Sequence, residues 1–499
     1  MEAARGAFDM RNHWYPVAFA SELPRGAAAT GSRPTDPYGF QLLGDPIVLF
    51  RDQHGAAQCV QDKCSHRSAP LSVGTVRDGR LECKFGSGGK CESIPSEPTT
   101  RPGKPFCVYA YPTTEVYDLV WVWPGDPEKA SEQHIPHHLF KEYRDKSWGK
   151  DTVTRDFDIE HGLFIENILD PSHLPFTHDG TLSKRAKADE MKVEMLFDNV
   201  FGQAPAPRSS ADDHQTDAHS HFTLGLPEGF YGMQAQAVWP ADASRPAQRF
   251  TFQTPCVVRL DLQTSTTKKR PDGSYPTMIQ LHFCVPVSPT RFRVNTIFFR
   301  NFATKFTASG GFPLGSHLNR WYADKIMDQD VELLTGQMVN LLNAAKPWNT
   351  VVRADKIAAR YRRWRDQAEL TNPWFCGFHQ SAVPDIEDLI AAGAEKAETD
   401  SVESGSGGSR AALVAGRRRK VEHATPPIVT GPYPRSGAER DLSTLLMQSG
   451  GVRFKPRTRI ALVPRGVRLA AAALLALLAL LLLAWSSGDQ PRNRLALVW

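Results

Sequence analysis

Asn167, Asp170, His173 and His178 lie in the stretch F-I-E-N-I-L-D-P-S-H-L-P-F-T-H-D, Phe164 to Asp179, with the spacing N-x-x-D-x-x-H-x-x-x-x-H. Two imidazoles at this range can share one metal ion. In a straight helix residues five apart point about 140° away from each other. Their ring nitrogens therefore converge only where the helix is distorted. Pro175, between the two histidines, removes a backbone donor and predicts the distortion at that point.

The chain that must position these groups has 499 residues, 41% of them hydrophobic and 23% charged. That is enough for two or three domains with ordinary cores. A net charge of +5 is small for this length, and gives no reason to expect nucleic acid as a partner. The eight cysteines, Cys59, Cys64, Cys83, Cys91, Cys107, Cys256, Cys284 and Cys376, are too scattered for a secreted disulfide scaffold, so a reducing compartment is expected. Met1 to Tyr15 holds no apolar run of the secretory kind and is not Arg- and Ser-rich like a transit peptide.

Short apolar runs separated by Gly, Pro and Asp turns predict a small β domain over 11–125. A second domain is expected over 148–389. Its apolar, β-branched runs at Ile279 to Val287 and Arg291 to Phe299 predict antiparallel strands, with the histidine-bearing helix lying against them. His214, His219 and His221 fall in a Pro-, Ser- and Asp-rich stretch that reads as a solvated insertion rather than a metal cluster. Arg353 to Gln367 reads as a basic helix presenting a solvated face. Residues 390–466, rich in Ser, Gly and basic runs, read as a flexible linker. Residues 467–485 read as a transmembrane helix: Leu469 to Trp485 is nearly all Leu and Ala, at the short end of the spanning range. The arginines crowded upstream of it favour that side as the cytoplasm-like face.

The histidine motif resembles the mononuclear iron site of Rieske-type non-haem iron oxygenases. N-H-W-Y-P-V-A at Asn12 to Ala18, and C-S-H-R at Cys64 to Arg67 followed by A-P-L-S, resemble the opening of the Rieske domain in the chlorophyllide a oxygenase family. The resemblance implies an α+β fold with an N-terminal Rieske-like β domain and a C-terminal helix-grip catalytic domain built on an antiparallel sheet. A Rieske [2Fe-2S] cluster takes two cysteines on one iron and two histidines on the other, supplied in the family as C-x-H and then C-x-x-H. Cys64, His66 and Cys83 match three of these ligands, but Gly86 stands where the second histidine belongs. The three are therefore expected to be degenerate remnants of a cluster-free domain. Completion of a cluster by Cys91 or another ligand is the competing possibility, and plain core cysteines in a β domain are a third.

The same resemblance implies a third iron ligand, a carboxylate far along the chain, for which Asp324, Asp328, Asp330 and Glu332 are candidates. Residues three and four away share a helical face, and Asp330 is bracketed by Ile326, Met327, Leu333 and Leu334, whereas the others have polar neighbours. His173, His178 and Asp330 would then form the two-histidine, one-carboxylate triad that leaves positions open for O2 on Fe(II). An aspartate paired with a buried arginine is the alternative.

Asp170, by resemblance, links an iron histidine to a cluster histidine of a neighbouring subunit, and a helix cap before Pro171 is its alternative role. Asn167 matches the family only in position, with a supporting catalytic role. A chain with an intact iron motif and a broken cluster motif resembles the mononuclear-iron subunit of algal chlorophyllide a oxygenases that are divided between two polypeptides. That implies a [2Fe-2S] cluster on a Rieske-bearing partner in a trimeric hetero-oligomer. It also implies reduced ferredoxin as electron source, a chlorophyll-type substrate, and a chloroplast location at the thylakoid or inner envelope membrane, with the soluble domains facing the stroma. Action on another tetrapyrrole such as pheophorbide a, or a non-catalytic role positioning the partner, are the other expectations.

Overall fold

The computed structural model describes residues 9–24, 34–83, 107–198, 232–242, 244–310, 313–342 and 350–370. Gly86, Cys91, His214, His219, His221, the expected linker 390–466 and the expected membrane segment 467–485 lie outside the described residues. Among the described residues no helix is long and apolar enough to cross a membrane.

Short β-branched and aromatic runs form the N-terminal strands: β1 (Tyr15–Phe19), β2 (Tyr38–Leu42), β3 (Asp45–Arg51), β4 (Ala57–Gln61), β5 (Thr75–Arg77), β6 (Arg80–Glu82), β7 (Ala110–Tyr111), β8 (Thr113–Val116) and β9 (Leu119–Val122). They pair as three small sheets, β1-β9-β8, β2-β3-β4-β7 and β5-β6. Every residue of β1 and β9 is buried, because the second domain covers the face of this sheet that would otherwise meet water.

The second domain is built on one seven-stranded antiparallel sheet of β10 (Gly149–Phe157), β11 (Lys192–Asp198), β12 (Gly232–Val238), β13 (Gln248–Gln253), β14 (Val257–Gln263), β15 (Thr277–Ser288) and β16 (Arg291–Arg300), in the order β10-β16-β15-β14-β13-β12-β11. Side chains alternate between its faces. One face looks to the N-terminal domain: Phe283 packs against Trp121 and Phe140 at ring-centroid distances of 5.7 and 5.8 Å, and Asn295 Nδ2 donates to Pro16 O over 2.8 Å. The tip of the β2–β3 hairpin is fastened to the same sheet. Leu43, left-handed at φ 49°, and Gly44 donate their N–H groups to Pro286 O and Val287 O at 3.0 and 2.9 Å. A left-handed leucine costs roughly 1–2 kcal/mol, which these two bonds help to offset.

The opposite face carries the helices α1 (His161–Leu169), α2 (Leu174–Thr177), α3 (Pro313–Leu342) and α4 (Lys356–Leu370). Phe292 meets Phe164 of α1, and Phe252 meets Tyr361 and Trp364 of α4, at 5.0, 4.8 and 5.1 Å between ring centroids. Arg155 of β10 ties down α3 by donating to Asp324 O and Asp328 Oδ1.

Helix α4 departs from the sequence expectation. Its basic residues do not all face solvent: Arg362 and Arg365 are 1% and 2% exposed. Arg365 Nη1 donates to Glu160 Oε2 over 2.7 Å, and Arg362 pairs with Glu166. A buried charge is tolerated only with such a partner, and both partners sit on or beside α1.

Candidate metal centre

Helix α1 starts where Glu160 caps it, its carboxylate accepting from the N–H groups of Gly162 and Leu163. Arg365 and His161 hold the Glu160 carboxyl well below its usual range, although burial alone would raise it. Gly162 is required by packing, since a Cβ there would fall 1.9 Å from Arg365 Nη1. The helix ends at Asp170, extended at φ −98°, ψ 103°, the conformation that a following proline favours.

This break replaces the distortion expected at Pro175. The chain stops at Asp170–Pro171 and restarts as the single turn α2, with Pro175 at its start, where a missing N–H costs nothing. His173 and His178 occupy the two ends of that turn as its N-cap and C-cap. Their ring centroids lie 5.3 Å apart. Convergence thus comes from placing both histidines just outside a four-residue helix.

Asp330 arrives from α3. His178 Nε2 lies 3.1 Å and His173 Nε2 3.6 Å from Asp330 Oδ1, and one ligand atom from each of the three residues falls within 4.8 Å of the others. Among the described residues this is the one group of three or more His, Cys, Asp or Glu side chains arranged to hold a metal ion. Asp330 Oδ1 is buried and has no aligned hydrogen-bond donor: the imidazole nitrogens come close but do not aim an N–H at it. A buried, unmet carboxylate oxygen is costly, and a cation at the common point of the three groups would satisfy it. The donor set fits a mononuclear iron.

The outer nitrogens of both rings are engaged. His173 Nδ1 lies 2.5 Å from Asp170 O and 3.6 Å from Asp170 Oδ2. His178 Nδ1 lies 3.1 Å from Gln329 Oε1. Both contacts place the N–H on Nδ1 and leave Nε2 free for a metal, the role that supporting residues play around bound ions. Burial lowers the pKa of His178, but Asp330 and Gln329 outweigh it and the net shift is upward. Burial would raise that of Asp170; His173 and Ser172 hold it below the ordinary carboxylate range. Asp170 also accepts from Ser172 N and Oγ, so the turn-capping role and the contact to His173 coexist. Asn167 is buried on α1, where its carbonyl accepts from Asp170 N–H.

Asp324, Asp328 and Glu332 do not join the site. Asp330 is 7% exposed beside buried Met327 and Leu334, whereas the Asp328 side chain is 65% exposed. Leu333, expected on the inner face, points outward. Gln329 was not foreseen, because a glutamine beside an aspartate carries no signal of its own. In the N-terminal domain, Cys64 and Cys83 are buried in one small apolar cluster with Val48, Leu71, Val76 and Leu81, while His66 is exposed. These three do not form a metal-holding group among the described residues.

The Rieske [2Fe-2S] domain family matches residues 13–112, and the vanillate O-demethylase oxygenase C-terminal domain family matches residues 157–370. The chain belongs to the Rieske-type non-haem iron oxygenases, a family of iron–sulfur and iron cofactors. Chlorophyllide a oxygenase of Arabidopsis thaliana is 27% identical over 371 residues, covering 72% of this chain and 58% of the relative. The Oryza sativa subsp. japonica enzyme of that name is 29% identical, covering 72% and 57%. Pheophorbide a oxygenase of Oryza sativa subsp. japonica is 25% identical over 410 residues, covering 76% and 68%. The chain thus spans little more than half the length of the chlorophyllide a oxygenases it matches. The crystal structure of dicamba monooxygenase bound to dicamba aligns with a TM-score of 0.57, covering 74% of this chain and 100% of that one at 19% identity, and shows the shared fold.

Proposed function

We propose that this chain is the mononuclear-iron subunit of a tetrapyrrole oxygenase that converts chlorophyllide a to chlorophyllide b. The reaction is two successive hydroxylations of the C7 methyl group, followed by loss of water from the gem-diol to leave a formyl group. The observation that carries the proposal is the convergence of His173, His178 and the unmet Asp330 Oδ1 in a chain similar to chlorophyllide a oxygenases.

Fe(II) held there would supply the O2 activation that hydroxylation needs. The chain itself holds the donors. Asp170 and Gln329 fix the two imidazoles through Nδ1, and the apolar helix-facing side of the sheet excludes water from the oxidised carbon. Since Gly86 replaces the fourth cluster ligand, the electrons come from a Rieske cluster on a partner subunit, itself reduced by ferredoxin, and Asp170 is the group that faces that partner. The plastid names of the relatives support a chloroplast location. Residues 467–485 would anchor the chain at the thylakoid or inner envelope, with the rest in the stroma.

The test is a metal and sulfide analysis of the purified chain, followed by reconstitution. The chain alone should bind about one iron, lack acid-labile sulfide and be inactive; with the Rieske-bearing subunit, reduced ferredoxin and O2 it should form the C7 formyl product. A complete two-iron, two-sulfur centre in the isolated chain would overturn the divided design. The likeness to pheophorbide a oxygenase favours a second reading, in which pheophorbide a is oxidised in the same assay and chlorophyllide a is not. Full activity after His173→Ala and His178→Ala would leave the chain a positioning subunit only.

A further inference from the structure

On the helix-facing side of the sheet a polar chain runs across β16 and β15. His282 of β15 is 5% exposed and has both ring nitrogens engaged. Nδ1 lies 3.0 Å from Thr296 Oγ1 on β16, and Nε2 lies 3.1 Å from Gln280 Oε1, two residues along the same strand and on the same face. The Gln280 amide oxygen can only accept, so His282 Nε2 carries the proton and Nδ1 accepts from the Thr296 hydroxyl. The order of donation runs Thr296 to His282 to Gln280, and it leaves the Gln280 NH2 as the end of the relay. Among the described residues no acceptor meets that NH2.

The surroundings of Gln280 are only partly closed. Leu260 and Phe298 stand directly opposite it on the neighbouring strands; Met278 and Leu262 form the next pair on the same face, with Arg300 opposite Met278 and Asp151 opposite Phe298. Phe298, Met278, Leu262 and Gln280 itself are only half-buried, while Leu281 and Phe283, on the other face, are completely buried. This face also carries α1, which packs on β15 and β16 and against α3, the helix that bears Asp330. A largely apolar wall with a few fixed polar groups is how small-molecule sites orient a ligand.

We propose that Gln280, aimed by His282 and Thr296, is a substrate-orienting residue that donates its amide N–H to a carbonyl or carboxylate oxygen of a flat apolar substrate lying between the sheet and His173, His178 and Asp330. The inference deepens the function proposed above and rests on it. The polar atoms on the rim of chlorophyllide a are keto, ester and carboxylate oxygens, all of them acceptors, so a fixed donor is the complementary group. Rotation of the macrocycle about its own normal, which an apolar wall cannot prevent, would be stopped by one such bond.

The test uses the iron-loaded full chain and measures binding of chlorophyllide a by fluorescence quenching, with iron content and Tm recorded for each variant. Gln280→Met keeps the length and apolar fit of the side chain, and Gln280→Glu keeps its shape and its bond from His282. Both should retain iron and Tm within error. Met should weaken binding about tenfold, the effect of one lost hydrogen bond, and Glu should weaken it further by turning a donor into an anion. His282→Phe, which frees the amide to rotate, should fall between wild type and Gln280→Met. Wild-type affinity in both Gln280 variants would overturn the assignment. Failure of the wild-type chain to bind any of chlorophyllide a, pheophorbide a or their methyl esters would instead overturn the substrate class, and this inference with it.

Discussion

Gln329 Oε1 lies 3.1 Å from His178 Nδ1, so the residue next to the metal-facing carboxylate also fixes one of the metal-facing imidazoles. Thr181 Oγ1 donates to the same oxygen over 2.8 Å, which holds the amide oxygen toward the ring. Helix α3 therefore delivers two functions from adjacent positions. Gln329→Leu should keep the fold but release His178 to rotate, lowering iron affinity by about 10- to 100-fold; competition with a calibrated chelator measures this. Gln329→Glu, which can still accept from Nδ1–H, should retain most of the affinity.

Asp330 and Asp328 separate ligation from mere acidity. Asp330→Ala should abolish stoichiometric iron binding. Asp328→Ala, which removes only an exposed partner of Arg155, should leave iron content unchanged and lower stability by less than about 1 kcal/mol. Metal analysis of the two purified variants settles which carboxylate matters.

The ion pair between Arg365 and Glu160 locks α4 onto the start of α1, the helix that leads into the histidine turn. Breaking one side of a buried pair leaves the other charge unmet, so Arg365→Met should destabilise the domain by about 3–5 kcal/mol. Gly162→Ala fills the space that Arg365 Nη1 occupies and should lower Tm as well. The two effects should be less than additive, because either change displaces the same guanidinium. Calorimetry of the single and double variants gives the comparison.

Acid sensitivity follows from buried neutral histidines. Burial pushes the pKa of His13 down to about 3 and that of His282 down to about 4, from an ordinary 6.5. Below pH 6.5 the unfolded chain takes up protons that the folded chain refuses, so stability present above that pH is lost as the pH falls toward the folded values. The slope is about 1.4 kcal/mol per pH unit for each histidine. Urea midpoints between pH 7 and pH 4 should fall steadily in the wild type and less steeply in His13→Gln.

The three-and-four spacing around Asp330 singled out one of four acids, and the spacing of His173 and His178 marked a pair that needed a break between helix and ligand. The position of the break was misplaced, because Pro175 and Pro171 both disrupt helices and only the fold shows that the first starts a turn while the second ends α1. Arg362 and Arg365 looked solvated because their carboxylate partners lie some two hundred residues earlier, beyond the reach of any periodicity. The Gln280–His282–Thr296 chain was missed for a different reason: β15 and β16 each read as an apolar strand, and although Gln280 and His282 share a face by period two, only the register brings Thr296 beside them.

The hairpin tip at Leu43 and Gly44, stitched by backbone bonds to Pro286 and Val287, bears on what can be cut away. Those bonds use main-chain atoms, so no change of side chain at the four cluster-ligand positions weakens them. Deleting the N-terminal third would strip the cover from Phe283 and leave Asn295 without its acceptor. The N-terminal β domain therefore serves as the outer wall of the oxygenase domain through its main chain and its apolar cover, independently of the side chains at its cluster-ligand positions.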